Sequence, residues 1–136
     1  MANIKHGLDA TADDSDKTVV VPAGEMWVLD WLHATLASSA TVGNRQVNLE
    51  LYDSSDVKRG DWHAGATQAA SLTRHFAFQP GIYRETSFVD GDIQISLPYK
   101  LVVPSGWYVR VRDTAAVDAA ADDLTLSYQF TKLAGN

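Results

Sequence analysis

A two-sheet β-sandwich, jelly-roll-like and carrying an extended N-terminal arm, is the fold that the sequence predicts. Three observations predict it. Apolar and polar residues alternate at period two in several short runs, Gly and Pro punctuate those runs, and no long segment keeps a helical period. At 136 residues the chain suits one domain, large enough to bury about two thirds of the surface that its unfolded form exposes. The predicted division is an arm over 1–16 and a sandwich over 17–136.

The elements follow in order. Residues 1–16, MANIKHGLDATADDSD, are small and polar, with Asp13, Asp14 and Asp16 close together. Like charges at that density resist packing, so this stretch is expected to be mobile in isolation. A short strand is expected over 17–21 and a longer one over 26–37. The longer run reads as apolar on both faces: Trp27, Leu29 and Trp31 on one, Val28, Leu32 and Leu36 on the other. Such a strand belongs in the middle of a sheet or under a neighbour.

RQVNLELYD alternates cleanly, with Val47, Leu49 and Leu51 in phase. Strands are further expected over 67–78, 82–89 and 99–103. Ile93, Ile95 and Leu97 share one face, as do Trp107, Val109 and Val111, and as do Leu124, Leu126, Tyr128 and Phe130. Turn signals stand between the runs at Pro22-Ala23-Gly24, Val42-Gly43-Asn44, Pro80-Gly81, Asp90-Gly91-Asp92 and Pro104-Ser105-Gly106. The run DTAAVDAAADD reads as a loop with a short helix at most. Eight or nine short strands of this kind, evenly spaced, suit two packed sheets.

One phrase occurs twice: TVVVPAGEMWVLDWL near the start and LVVPSGWYVRVRD near the end. In both, Pro ends a strand, a small residue and Gly reverse the chain, and a Trp-led strand follows. Both are expected to be strand–turn–strand corners with an architectural role.

Composition narrows the function. The net charge is −6, which opposes binding to nucleic acid, and Arg110 and Arg112 on one strand face do not make a basic footprint. There is no Cys, which excludes disulfides, thiolate metal sites and Cys nucleophiles. No stretch has the length for a signal peptide or a membrane span, so synthesis in the cytoplasm and no membrane partner are expected.

Catalytic and metal-binding motifs are not apparent. His6, His33, His63 and His75 form neither an H-x-H pair nor an H-E-x-x-H motif, and ordinary ligation wants three or four converging groups. Asp13-Asp14-Ser15-Asp16, Asp90-Gly91-Asp92 and Asp122-Asp123 lack the spacing of a calcium loop and read as turn-capping aspartates. No G-x-S-x-G elbow is present. The expectation is a non-enzyme without metal or cofactor.

Aromatic residues without catalytic company point instead to association. Trp62 stands in the polar stretch RGDWHAGATQ, and Tyr52, Tyr83, Tyr99 and Tyr108 fall at strand ends or on outward phases. Aromatics on polar surfaces are enriched at protein interfaces and can stack on sugar rings. An arm that orders on a neighbour and a strand apolar on both faces are what a subunit of an assembly needs.

Three stretches carry a resemblance: VPAGEMWVLDWLHATLASSATVGNRQVNLELYDSS, AGATQAASLTRHFAFQPG and LPYKLVVPSGWYVRVRDTAAVDAAADDLTLSYQ. The most telling pieces are Thr41-Val42-Gly43-Asn44-Arg45 and Val117-Asp118 followed by Asp122-Asp123. From about Val19 to Gln129 the chain resembles jelly-roll capsid decoration, or cement, proteins of tailed bacteriophages. That resemblance implies a homotrimer bound to the major capsid protein on the outer surface of the virion, bridging capsomers, with no catalytic residues. Contacts with capsid or sister subunits are then expected in the arm, at Ile4, Lys5, His6 and Leu8, and at Trp31, Trp62, His63 and Tyr83. The alternative is a carbohydrate- or receptor-binding module of a virion fibre that uses Trp62 and nearby Tyr residues as a stacking platform.

Overall fold

The structure, a computed structural model, describes residues 3–13, 16–115 and 117–133. These residues form ten strands: β1 (Asn3–Asp13), β2 (Lys17–Val20), β3 (Trp27–Ala37), β4 (Val47–Tyr52), β5 (Lys58–His63), β6 (Thr73–Pro80), β7 (Asp92–Leu97), β8 (Leu101–Val103), β9 (Tyr108–Asp113) and β10 (Asp123–Lys132). One sheet runs β1-β10-β3-β6-β7, with β8 also pairing β3, and the other runs β2-β9-β4-β5. The fold is the all-β two-sheet sandwich that the period-two runs predict. Pairing is antiparallel except between β6 and β7, which are parallel.

The core lies between the sheets. Leu49, Val109 and Val111 face it from the smaller sheet, and Leu32, Leu36, Phe76, Phe78, Ile93, Ile95 and Phe130 from the larger; all are buried. Burying each such side chain contributes about 1.5–3 kcal/mol relative to exposure.

The repeated phrase has a structural reason. The corner at Pro22–Gly24 carries the chain from β2 in the small sheet to β3 in the large one, and the corner at Pro104–Gly106 carries it back from β8 to β9. The two corners pair with each other: β2 with β9, and β3 with β8. Between them the Val21 N–H donates to the Trp107 carbonyl (2.9 Å), the Gly106 N–H to the Val21 carbonyl (3.0 Å) and the Gly24 N–H to Ser105 Oγ (2.9 Å). Gly24 and Gly106 have φ of 81° and 78°, values that L-residues rarely adopt. Two similar corners close one end of the sandwich by bonding across it.

Four expectations change. The described part of the predicted mobile arm is not separate: residues 3–13 form the edge strand β1, paired with β10 from Asn3↔Lys132 to Asp13↔Leu124. Backbone hydrogen bonding to a long neighbour outweighs the weak apolar content of this stretch. Asp14 and Ser15 of the acidic run, like residues 1–2, lie outside the described residues. The run 82–89 is a loop, its end tied to β7 by a bridge from Val89 to Asp92. Residues 58–63, where no strand is expected from the sequence, form β5.

The fourth change concerns β3. It is not apolar on both faces at once. Trp27 and Leu29 are buried at one end, whereas Leu32, Ala34 and Leu36 are buried at the other. The inward phase switches because β3 carries a bulge: Phe130 faces Leu29 and Gln129 faces Trp31, leaving Asp30 as an extra residue. One inserted residue exchanges the two faces of a strand.

Candidate assembly surface

The bulge shapes the outer face of the large sheet. It turns the Asp30 carboxylate outward, where Oδ2 accepts from Gln129 Nε2 (2.9 Å) and Thr131 Oγ1 (2.7 Å). Gln129 Oε1 in turn lies 2.8 Å from His6 Nε2 on β1. A side-chain chain thus runs from the edge strand through β10 to the bulge in β3. It holds β1 against the sheet in addition to the backbone ladder.

Apolar side chains stand beside this chain, interspersed with polar ones such as Ser127 and His33. Period two places Ile4, His6 and Leu8 on the outer face of β1, and Ile4 and Leu8 are 44% and 72% exposed. Trp31, half-buried, stands on the same face of β3 in register with Gln129, itself in register with His6. These four of the sequence-predicted contact residues are therefore brought onto one face. Lys5 lies on the opposite face of β1, half-buried.

The remaining predicted residues lie elsewhere. Trp62 is on β5 opposite Leu49 and packs against the core, so its ring is the margin of the interior. His63 is exposed at the end of β5, its Nε2 3.7 Å from Asp61 Oδ1. Tyr83 is 81% exposed in the loop between β6 and β7.

Three further features shape the surface. First, where β3 changes neighbour from β8 (27–29) to β6 (32–37), a cleft of about 440 Å³ opens beside Asp30, walled by Val28, Pro80, Tyr99, Val102 and Leu133. The phase change along β3, with Asp30 between its two apolar runs, was the available signal. Second, His33 and His75 stack with ring centroids 5.5 Å apart, and His75 Nδ1 lies 3.0 Å from Thr35 Oγ1. Burial pushes the His33 imidazole below its ordinary value; His75 acts in the same direction and Asp92 opposes both. Third, the outer face of the small sheet is closed by a charged cluster around Glu50, whose carboxylate accepts from Lys58 (3.0 Å), Arg112 (2.9 Å) and the Tyr52 hydroxyl (3.0 Å). Burial alone would raise the Glu50 carboxyl, but those hydrogen bonds hold it below the ordinary value.

At the pole opposite the two corners, a buried ion pair locks two loops. The Arg45 guanidinium donates to both Asp122 oxygens (2.8 and 3.1 Å) and to the carbonyls of Thr41 and Gly43 (3.0 and 2.9 Å). Asp118 accepts from the hydroxyls of Ser39 and Thr41 (2.7 and 2.8 Å). The segments 41–45 and 117–123, far apart in sequence, thus form one structure. Among the described residues, no group of three or more His, Cys, Asp or Glu side chains is placed to hold a metal ion.

No family model matches the chain, and no curated protein matches it in sequence. Among solved structures it is similar to a chain of infectious bursal disease virus, Gx strain, at 10% identity and a TM-score of 0.42, covering 98% of this chain and 33% of that one. It is also similar to a chain of Desmodium yellow mottle tymovirus, at 11% identity and a TM-score of 0.32, covering 100% of this chain and 90% of that one. A chain of infectious bursal disease virus, Gt strain, follows at 8% identity and a TM-score of 0.32, covering 95% of this chain and 32% of that one. The chain spans about a third of the length of the two bursal disease virus chains.

Proposed function

We propose that this protein is a structural component of a virion, working as a capsid decoration protein on the outer surface of the shell. Its role is to bind the major capsid protein as a homotrimer and bridge capsomers, without making or breaking covalent bonds. The observation that carries this reading is the outer face of the large sheet, where exposed Ile4 and Leu8 and half-buried Trp31 stand beside an open strand edge. Exposed apolar side chains on a sheet face are the kind of surface that another protein covers. Binding at several capsomers at once multiplies a modest contact through effective concentration.

The glycan-binding alternative drew on Trp62 as a stacking platform. That ring packs against the core, which weakens the alternative at its main residue.

Co-sedimentation with undecorated tailed-phage heads tests the proposal. The wild-type chain is expected to pellet with the heads in a saturable ratio, and Leu8→Asp/Trp31→Ala to stay in the supernatant while remaining folded by circular dichroism. Failure of the wild-type chain to pellet would remove the proposal.

A further inference from the structure

We propose that β1 is a self-association edge: it pairs antiparallel with β1 of a second copy about a two-fold axis through Gly7. This inference does not depend on the capsid reading.

The edges of the two sheets differ in how they are protected. β2 has four residues and β8, which pairs with β3 alone, has three. β5 is short, and three of its six side chains, Lys58, Arg59 and Asp61, are charged. The edge of β7 is covered at Gln94, whose N–H donates to Glu85 Oε1 (2.7 Å) and whose carbonyl accepts from the Glu85 N–H (3.0 Å). β1 is the exception. It has eleven residues without Pro, keeps regular register with β10 from Asn3 to Asp9, and ends the strand order of its sheet. Lys17 Nζ reaches the Thr11 carbonyl (3.2 Å), beyond the regular stretch. A long regular edge with exposed apolar side chains is a template for another strand.

The charges on β1 identify the second strand. A two-fold axis perpendicular to the sheet keeps inner faces inner and outer faces outer, so it must pass through a residue, not between two. With the axis at Gly7, Lys5 of each copy stands opposite Asp9 of the other, so two unlike pairs form. Ile4 then faces Ala10, and His6 faces Leu8. With the axis at His6 or Leu8, neither Lys5 nor Asp9 meets an opposite charge on β1. Lys5 and Asp9 share the face on which Gly7 lies under the Tyr128 ring, and each is half-buried. Asp9 Oδ1 also accepts from the Thr11 N–H (3.2 Å), which orients its carboxylate. Cross-strand opposite charges stabilise pairing, and like charges oppose it. The register is thus self-complementary, as an isologous contact requires.

The test uses charge exchange on the full chain, with mass read by sedimentation equilibrium across micromolar concentrations. The wild-type chain is expected to double in mass reversibly, whatever unit other contacts build. Lys5→Glu sets two carboxylates opposite each other at both places, and Asp9→Lys sets two amines there; each alone is expected to weaken doubling tenfold or more. An equimolar mixture of these two variants, and the double variant Lys5→Glu/Asp9→Lys, are expected to regain it. Because the mixture restores the pairing without refolding either chain, a folding defect cannot imitate the result. Doubling that is absent in the wild type, insensitive to the single changes, or not regained in the mixture would overturn the proposal. Loss of capsid binding with doubling intact would remove the decoration reading and leave this one standing.

Discussion

Arg45 and Asp122 form a fully buried ion pair, with Nε 2.8 Å from Oδ2 and both side chains shielded from water. Removing one partner leaves an uncompensated charge in the interior, which costs about 3–5 kcal/mol, whereas an apolar pair of similar volume can be neutral. Arg45→Met is therefore expected to lower the unfolding free energy by about that amount. Arg45→Met/Asp122→Leu should recover much of the loss. Urea denaturation followed by Trp fluorescence checks both, and equal losses in the single and double variants would show that the pair is not the source.

The same pair sets a response to acid. Burial pushes the Asp122 carboxyl up, but the hydrogen bond from Arg45, the Ser39 N–H and the Arg45 charge outweigh it, so the group titrates below the ordinary value of 3.8. A carboxyl depressed in the folded state contributes stability that is complete above the unfolded value and is lost as pH falls through the folded one. Asp118, held down by the hydroxyls of Ser39 and Thr41, acts in the same direction. The melting temperature is expected to drop as pH falls below about 4. The Arg45→Met/Asp122→Leu variant should drop less steeply over that window in scanning calorimetry.

His33 acts at milder pH. Its folded-state value lies below 6.5 because burial and the neighbouring His75 disfavour the charged ring. The unfolded chain therefore binds the proton first, and the His33 contribution to stability is present above 6.5 and lost as pH falls through the folded value. Proton NMR should give a His33 midpoint below 6.5. A midpoint at or above 6.5 would contradict the stacked, half-buried geometry. In His33→Gln, stability should vary less with pH across the same range.

Gly7 is a close-approach position. A Cβ there would collide with the ring of Tyr128 on the paired strand, and overpacking of this kind costs about 1–3 kcal/mol. Gly7→Val is expected to loosen β1 while leaving the rest of the sandwich folded. Hydrogen exchange checks this: faster exchange confined to β1 and its partners on β10 is the expected pattern.

How far each element could be read depended on which interactions defined it. Val47, Leu49 and Leu51 alternate with polar residues because one face of β4 meets the core, so period two was visible along the chain. β10 was visible for the same reason. β1 was not, because its alternation is inverted: the apolar residues Ile4, Leu8 and Ala10 lie on the exposed face and Lys5, Gly7 and Asp9 on the other, so no core-facing phase marks it. β5 hid similarly, since Lys58, Arg59 and Asp61 flank a single inward aromatic. Along β3 the period was visible but its phase was misleading, because the bulge at Asp30 depends on pairing with Gln129 and Phe130, nearly a hundred residues away.

Local chemistry therefore determined what lies within a few residues: the β class, the Pro–Gly corners and the main core phases. The tertiary structure decided which segments meet. It joined Arg45 to Asp122, laid His6 against Gln129, turned Trp62 to the core, and placed Ile4 and Leu8 on the same face as Trp31. The physical reason is that backbone conformation and hydrophobic period are properties of neighbouring residues, whereas ladders, buried ion pairs and surface patches depend on chain segments brought together by the fold.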